Sequence, residues 1–304
     1  MKEHNKSILQ ALFVVFLWST SWVFIKIGLK DIPPLTFAGL RYAAAFIALL
    51  VYVLMQRKPI PWQQIGRRTW VMLLILAVLL YAGAQGGQFI ALAYMPAVTV
   101  NLLFSFSSIL VALIGAAWLK ERLSWLQWLG LVLTLVGAYI YFFPVTIPRA
   151  QFIGLAAAIF ALFSNSISTV LGRDLNRSNL LSPLVVTLIP MGIGSAIMLS
   201  TGLSLEGWPR IDWQGWAIIL WLAVVNTAFA FTLWNHTLRT LSAIESSVIN
   251  GTMLIWIPVL AVFILGEKLN PQQIAGLVTA AVGAWIVPYR GGRWRPPQPA
   301  AGRD

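Results

Sequence analysis

The chain has 304 residues, of which 59% are hydrophobic and only 10% are charged. This number of charged side chains is too small to cover the surface of a soluble domain of this length. The composition therefore excludes a soluble protein and predicts an integral membrane protein. The sequence has no Cys and only two His, which excludes disulfides and thiolate metal sites, and no metal or other cofactor is predicted.

Ten predicted membrane-spanning helices account for almost the whole chain. A helix needs about 20 mostly apolar residues to cross the hydrocarbon core of a bilayer. Segments that meet this criterion lie at 8–29, 34–55, 70–93, 97–118, 124–143, 151–172, 181–202, 213–235, 243–265 and 271–288. The last residues, 290–304, are rich in Gly, Pro and Arg and are predicted to form a disordered cytoplasmic tail.

The sequence contains an internal repeat with an offset of 146 residues. The segment Glu121–Gly130 returns as Glu267–Gly276, and the apolar residues that follow stay in register without a gap. Each copy consists of an apolar helix, a short charged hinge and another apolar helix. We therefore predict an all-α membrane protein built from two five-helix repeats, residues 1–146 and 147–289.

The distribution of basic residues predicts the orientation of the chain. With ten spans both termini lie on one side, which receives fifteen of the 21 Lys and Arg residues, whereas the opposite side receives four. Basic residues collect in cytoplasmic loops, so both termini are predicted to be cytoplasmic, in a plasma membrane, and the net charge of +12 does not indicate nucleic-acid binding. Five spans per repeat make the second copy inverted relative to the first. Inverted repeats favour a binding site near the membrane midplane and transport by alternating access.

Several short motifs occur in the order and spacing of a known family. They are Trp18-Ser19-Thr20-Ser21-Trp22 followed by Lys26, Pro34 followed by Arg41-Tyr42, the hinges at Glu121 and Glu267, Leu233-Trp234-Asn235, and Pro258. Over nearly its whole length the chain resembles a ten-span, EamA-type member of the drug/metabolite transporter superfamily. It departs from the family at Ala112, where proline is frequent. The resemblance implies export or exchange of small metabolites, such as amino acids or other small amphipathic compounds.

Two tryptophans and a lysine share one face of the first predicted span. Trp18, Trp22 and Lys26 are spaced four residues apart, which places them on one side of a helix. This face could line a solute cavity, where the indole rings offer apolar and stacking surface. It could also pack against neighbouring helices, with the Lys26 side chain extending to the outer membrane interface.

Arg41 and Glu245 are candidates for binding or coupling charges. A charge inside the second span, as at Arg41, is costly unless it is paired or hydrated. Arg41 could bind a substrate carboxylate in a bidentate manner, or it could serve as a fixed structural pair or bind the carbonyl ends of a helix. In the family this Arg recurs in members with different substrates, which favours the structural role. Glu245, at the start of the ninth span, is expected to be a solvated carboxylate stabilised by the helix dipole, and it is the first candidate if proton coupling runs through a carboxylate.

Amide and hydroxyl side chains within the spans indicate how a solute would be recognised. Each needs a hydrogen-bond partner away from lipid, and many will simply join helices. They concentrate on the helices that the family uses for its central cavity, which favours a neutral or zwitterionic solute over a highly charged one. The candidate substrate-binding residues of this kind are Gln85, Asn101, Ser105, Asn165, Asn235 and Asn250.

Glycines repeat at a spacing of seven in the fifth and tenth spans, as Gly130 with Gly137 and Gly276 with Gly283. Small residues let helix backbones approach closely. These spans are therefore predicted to be packing elements, and the same face could support a homodimer.

We predict a secondary transporter that exports small organic solutes, and not an enzyme. An intramembrane enzyme is the weaker alternative, because the spans hold no nucleophile–base pair, carboxylate pair or metal cluster. An energy-independent facilitator or exchanger stays open, because no coupling-ion site is evident. The predicted partners are a small-molecule substrate and the lipid bilayer, without nucleic acid.

Overall fold

The computed structural model describes residues 2–56, 65–119, 124–144, 148–177, 181–237, 240–241 and 243–287. These residues are almost entirely helical, with no strand among them, and their helices form ten rods that we number in chain order. The first five are α1 (Lys2–Gly28), α2 (Pro34–Met55), α3 (Arg67–Tyr94), α4 (Ala97–Leu119) and α5 (Trp125–Phe142). The second five are α6 (Phe152–Arg177), α7 (Pro183–Glu206), α8 (213–237), α9 (243–265) and α10 (Pro271–Ile286). A short 3₁₀ turn, Arg149–Gln151, leads into α6.

Each rod coincides with one predicted span, and the largest differences lie where a helix continues past its apolar stretch. By length and composition, eight helices of the described residues can cross a membrane. The apolar part of α4 is shorter, Ala97–Val111, and α10 has 16 residues. The chain is thus a multi-pass membrane protein, and the count of ten spans stays a prediction. The hinge residues Glu121–Leu123 and the tail 290–304 lie outside the described residues, as does the side chain of Ala112.

The two copies of the repeated segment begin their helices in the same way. At the start of α5, the Ser124 hydroxyl accepts a hydrogen bond from the Gln127 amide, and the Gln127 side-chain oxygen accepts one from the Ser124 amide. At the start of α10, Asn270 and Gln273 exchange the same pair of bonds. Both are capping boxes, which satisfy amide groups that the first helical turn leaves unpaired. The repeat in the sequence therefore corresponds to a repeat in local structure.

Glycines bring α5 and α10 into backbone contact. A methyl group added at Gly137 would lie 2.6 Å from the carbonyl oxygen of Gly276, and one at Gly130 would lie 2.7 Å from that of Gly283. Real side chains do not approach so closely, so only glycine permits this packing. The predicted packing role of these glycines is confirmed. Their face is covered by a helix of the same chain, and the homodimer that the spacing also allowed stays a prediction.

The helix contacts of the first half recur in the second. α3 packs against α6 and α7, and α8 packs in the corresponding way against α1 and α2. Likewise α4 contacts α6, as α9 contacts α1. Each helix thus corresponds to the helix five places further along the chain, with α1 taken as the helix that follows α10. Replacing every helix by its counterpart converts one of these sets of contacts into the other. The pairs α2–α7, α4–α9 and α5–α10 lie at the centre of this pattern, because each helix there contacts its own counterpart.

Irregular backbone is concentrated in three helices. Residues Ala77–Gly86 of α3, Val224–Phe229 of α8 and Ala261–Leu265 of α9 are π-helical. α9 is also interrupted at Thr252 and contains Pro258. π-Helical turns disrupt the regular backbone ladder and are frequent at functional sites. The same three helices carry several buried polar side chains.

Candidate functional site

Arg41 lies buried in α2 among aromatic rings, with only 5% of its surface exposed. Its guanidinium carbon lies 5.1 Å from the centroid of the Tyr42 ring and 5.9 Å from that of the Phe89 ring. Nη2 donates a long hydrogen bond, 3.4 Å, to the Thr227 hydroxyl of α8, and Nε has no hydrogen-bond partner within the described structure. No described residue forms an ion pair with Arg41. Cation–π contact offsets part of the cost of burial, so Arg41 joins α2 to α3 and α8.

Gln85 is hydrogen-bonded to Tyr42, the residue that follows Arg41. The Tyr42 hydroxyl donates a hydrogen bond of 2.6 Å to the side-chain oxygen of Gln85. The ring of Tyr42 also packs edge-on against Tyr81, with centroids 5.4 Å apart. Gln85 and Tyr81 both belong to the π-helical part of α3. The Gln85 oxygen therefore links α3 to α2 in this structure.

The contact between α1 and α8 contains two buried polar atoms for which the described residues provide no partner. Asn226, fully buried in the π-helical part of α8, donates hydrogen bonds to the Leu17 carbonyl and the Thr20 hydroxyl, but its Oδ1 has no partner among the described residues. The Trp18 ring packs against Trp234 at 5.2 Å and Phe231 at 5.4 Å, and its indole N–H is likewise unpaired within the described chain. An unpaired buried polar atom costs about 1–3 kcal/mol. Within the part of the chain that the structure describes, the contact thus leaves one donor and one acceptor unused.

Trp22 and Asn101 lie where α1, α4 and α9 meet. Trp22 is 6% exposed and packs edge-on against Phe104, with ring centroids 5.6 Å apart. Asn101 is 5% exposed, and its amide nitrogen donates a hydrogen bond of 3.3 Å to the Met253 carbonyl of α9. Met253 also packs near Trp18 in one apolar cluster. Aromatic surface beside a few oriented polar groups is the usual composition of a small-molecule site.

The other predicted polar residues are not seen to join this group. The Ser105 hydroxyl donates to the Leu102 carbonyl within α4. Asn165 is half-buried, and its backbone carbonyl accepts bonds from hydroxyl groups of its own helix. Asn250 is exposed on α9, and the side chain of Asn235 lies outside the described residues. The structure therefore brings together Trp18, Trp22 and Asn101, which are a subset of the predicted substrate contacts.

Lys26 and Glu267 bind the turn between α3 and α4, at the end of the bundle that we call the far end. The Lys26 ammonium donates hydrogen bonds of 2.5 Å and 2.7 Å to the carbonyls of Leu92 and Met95. The Glu267 carboxylate accepts bonds of 2.6 Å and 3.2 Å from the amides of Ala97 and Val98. A cation thus lies at the end of one helix and an anion at the start of the next, as helix dipoles favour. Two carbonyl groups at the end of α3 thus hold the Lys26 ammonium at the far end of the bundle, and its extension to the membrane interface stays a prediction.

A cavity of about 550 Å³ adjoins these two residues. Lys26 and Glu267 both line it, together with the exposed Lys30. Its remaining lining is apolar and comes from Ile27, Leu29, Leu92, Ala93, Ile264 and Leu265. The cavity therefore presents groups of opposite charge between apolar walls.

A second carboxylate binds a helix start at the far end. Glu206, the last residue of α7, accepts hydrogen bonds from the amides of Leu35 and Thr36 and from the Thr36 hydroxyl, at 2.8–3.0 Å. Glu206 and Glu267 therefore play the same role for α2 and α4. Neither role was predicted from the sequence. The repeated hinge marked Glu267 as special, whereas an acidic residue at the end of a span was the only signal for Glu206.

Glu245 lies at the opposite end of the bundle, which we call the near end, close to the start of the chain. Its carboxylate lies 3.0 Å from Nε2 of His4, and both side chains are partly exposed, by 38% and 43%. The Thr240 hydroxyl donates a hydrogen bond to Ser7 nearby. Glu245 thus has a titratable neighbour on α1, although it lies in the first turn of α9 as predicted.

The sequence is similar to proteins that transport solutes across membranes. The model of the EamA-like transporter family matches residues 5–143 and again residues 152–289. An uncharacterized transporter of Bacillus subtilis, YoaV, is 25% identical over 286 residues, which cover 91% of this chain and 93% of that protein. A probable amino-acid metabolite efflux pump of Escherichia coli is 24% identical over 300 residues, which cover 94% of this chain and 95% of the pump.

The fold is also similar to that of a solved protein structure. A protein of known crystal structure superposes with a TM-score of 0.65 at 17% sequence identity, covering 93% of this chain and 97% of that one. At this identity the similarity shows a shared fold and carries no information on substrate.

Proposed function

The chain belongs to the EamA-like transporter family, and on that basis we propose that it is a secondary transporter that exports small organic metabolites, such as amino acids or similar amphipathic solutes. The observation that carries the proposal is the match of the family model to both halves of the chain. Relatives of nearly equal length that are named amino-acid metabolite efflux pumps support the substrate class and the export direction.

The transport mechanism that we propose is alternating access between two inverted halves. The recurrence of helix contacts, with α3 on α6 and α7 and α8 on α1 and α2, supports it. So does the glycine contact between α5 and α10, in which Gly130 faces Gly283 and Gly137 faces Gly276. Helices that contact their own counterparts are expected on a two-fold axis, and inverted repeats open alternately by rocking about such an axis.

We place the substrate contacts where α1, α4 and α9 meet. Trp22 would supply an aromatic face, and the Asn101 amide would hydrogen-bond a polar group of the solute after leaving the Met253 carbonyl. Both side chains are now nearly fully buried, so the solute enters only when the helices separate. Burial beside an indole ring and an amide suits an uncharged or zwitterionic solute.

In the proposed orientation the near end faces the cytoplasm and the far end faces outward from a plasma membrane. Basic residues in the predicted loops favour this orientation. Export then takes the solute from the near end, where His4 and Glu245 lie, to the far end, where Lys26 and Glu267 lie.

Solute uptake into proteoliposomes tests this function. The purified chain is reconstituted, and a panel of radiolabelled amino acids and small amines is tested with and without an imposed proton gradient. Accumulation that a protonophore abolishes is the expected result. Equilibration that ignores the gradient would instead establish a facilitator or exchanger. If no member of a broad panel moves, although the protein is folded, the proposed substrate class is wrong.

The family and the relatives are transporters, which weakens the enzyme alternative. The described residues contain no group of three His, Cys, Asp or Glu side chains that could hold a metal ion. The carboxylates of Glu206 and Glu267 accept hydrogen bonds from backbone amides, and that of Glu245 contacts His4.

A further inference from the structure

The cavity at the far end has a charge distribution that matches one class of small molecule. We propose that it binds a zwitterionic amino acid with an apolar side chain, with the carboxylate on Lys26 and the ammonium group on Glu267. The inference rests on the proposed function for its substrate class. It concerns a site that is separate from the contacts around Trp22 and Asn101, and it makes the far end an exit site for the exported solute.

Both charged groups retain bonding capacity toward the cavity. An ammonium group has three N–H donors, and Lys26 uses two of them on the carbonyls of Leu92 and Met95. A carboxylate has about four acceptor positions, and Glu267 uses two of them on the amides of Ala97 and Val98. Counting bonds among the described residues, one donor and two acceptor positions thus remain for a ligand in the cavity that these residues line.

The remaining walls favour an amino acid over a more highly charged ligand. The volume of about 550 Å³ lies in the range of small-molecule sites. Ile27, Leu29 and Leu265 offer an apolar surface to a side chain, and the exposed Lys30 adds a second cation to the lining. A ligand with a single charge could form a charged hydrogen bond with only one of Lys26 and Glu267, and so would bind more weakly.

Occupancy of the cavity would also act on the α3–α4 turn. The groups that would bind the amino acid are the same ones that hold the carbonyls of α3 and the amides of α4. A ligand carboxylate that draws the Lys26 ammonium away weakens its bonds to Leu92 and Met95. Binding is therefore expected to loosen this turn.

Protection of a single cysteine from labelling tests the proposal. The chain has no Cys, so Ala93→Cys introduces one thiol into the cavity lining. The variant is placed in phosphatidylcholine nanodiscs, where both ends of the bundle meet solvent, and is labelled with a water-soluble maleimide. L-leucine is expected to slow labelling in a saturable manner. Isoamylamine, which lacks the carboxylate, and 4-methylpentanoate, which lacks the amine, should each need a concentration about tenfold higher, because each loses one charged hydrogen-bonding pair.

Two further sets of variants give the controls. Trp208→Cys, on the exposed loop after α7, should label at a rate that leucine does not change. In the Ala93→Cys background, Lys26→Met should abolish the preference for leucine over isoamylamine, because the carboxylate loses its partner. Glu267→Gln should abolish the preference for leucine over 4-methylpentanoate. Lys26→Arg should retain both preferences. A cooperative melting transition of each Lys26 and Glu267 variant confirms that it is folded.

The outcomes separate this proposal from the proposed function. Leucine protection without leucine transport in proteoliposomes would support the site while contradicting the function. Transport without protection would contradict the site alone. Equal protection by all three compounds would overturn the zwitterion assignment. A second result would also overturn it: leucine leaves the labelling rate unchanged, but added phosphatidylethanolamine slows labelling. The cavity would then be a site for lipid headgroups.

Discussion

Lys26 of α1 and Glu267, just after α9, bind opposite sides of the same turn between α3 and α4. The ammonium takes two carbonyls where α3 ends, and the carboxylate takes two amides where α4 begins. The two groups have opposite charges and line the same cavity. The two side chains therefore join helices from both halves of the chain at the far end, because they bind the carbonyls and amides that the ends of α3 and α4 leave unpaired.

This relationship predicts that the two residues are energetically coupled. Lys26→Met and Glu267→Gln should each lower thermal stability, and the double variant should lose less than the sum of the two, by at least about 0.5 kcal/mol. Unfolding of the four proteins in one detergent measures the coupling. Glu206→Gln provides the matched control: it caps α2 and shares no partner with Lys26, so its effect should add to that of Lys26→Met. Additivity in the Lys26–Glu267 pair would contradict the shared-turn relationship.

The glycine contact between α5 and α10 predicts a large effect from one methyl group. Gly137→Ala places a carbon within 3 Å of backbone atoms of Gly276 and Ala280, which cannot rotate away. Overpacking of this kind costs about 1–3 kcal/mol, so the melting temperature should fall. Gly172→Ala in α6 is the control, since its nearest neighbour would be a side-chain carbon 3.8 Å away. Equal melting temperatures for both variants would show that the helices separate easily.

The surroundings of Arg41 predict a structural role in joining α2 to α8. Arg41→Lys keeps the charge but loses the planar group that contacts the rings of Tyr42 and Phe89. We expect the variant to melt at a lower temperature and to transport with an unchanged KM. Uptake kinetics over a range of solute concentrations measure this. A KM that rises only for carboxylate-bearing solutes would instead place Arg41 in contact with the substrate.

The contacts among α1, α4 and α9 predict that truncating a single side chain there weakens the apparent affinity for the solute. Trp22→Ala and Asn101→Ala should each raise the KM for a transported amino acid about tenfold, because a buried aromatic contact or an oriented hydrogen bond is lost. Trp128→Ala, on the exposed face of α5, is the matched control and should leave uptake unchanged. Wild-type KM values in both site variants would remove these residues from the substrate site.

Glu245 is predicted to couple transport to protons. Glu245→Gln removes the only group of the His4–Glu245 pair that carries a negative charge, so accumulation driven by a proton gradient should be lost while exchange without a gradient persists. His4→Ala breaks the same contact but keeps the carboxylate, and it should still accumulate solute. Uptake with and without a protonophore distinguishes the variants. Gradient-driven accumulation by Glu245→Gln would transfer the coupling role to another residue.

The positions of the helices could be predicted from the sequence. α2 and α9 have the predicted bounds, and most of the other helices differ by a few residues. Apolar length is a local property, so each span can be recognised without knowing its neighbours. The same holds for the capping boxes at Ser124 and Asn270, because their partners lie three residues away.

The partners of the polar residues could not be predicted in this way. Lys26 binds carbonyls 66 and 69 residues away, and Asn226 binds α1 more than 200 residues away. Most of these partners are backbone groups, which every residue carries, so no side-chain pattern marks them. The predicted set of substrate contacts therefore stays a prediction, within which Asn250 is exposed and Asn101 is bonded to the Met253 carbonyl.

Hydropathy and residue spacing are local properties of the chain, so the amino acids alone indicate a multi-pass membrane protein with a repeated unit and the motifs of a transporter family. The folded structure was needed to show that the glycines of α5 and α10 face each other, that Arg41 lies among rings, and that Lys26 and Glu267 meet at one turn. Within the membrane every helix end must find a partner for its unpaired backbone groups. Which charge fills that need depends on which helices become neighbours.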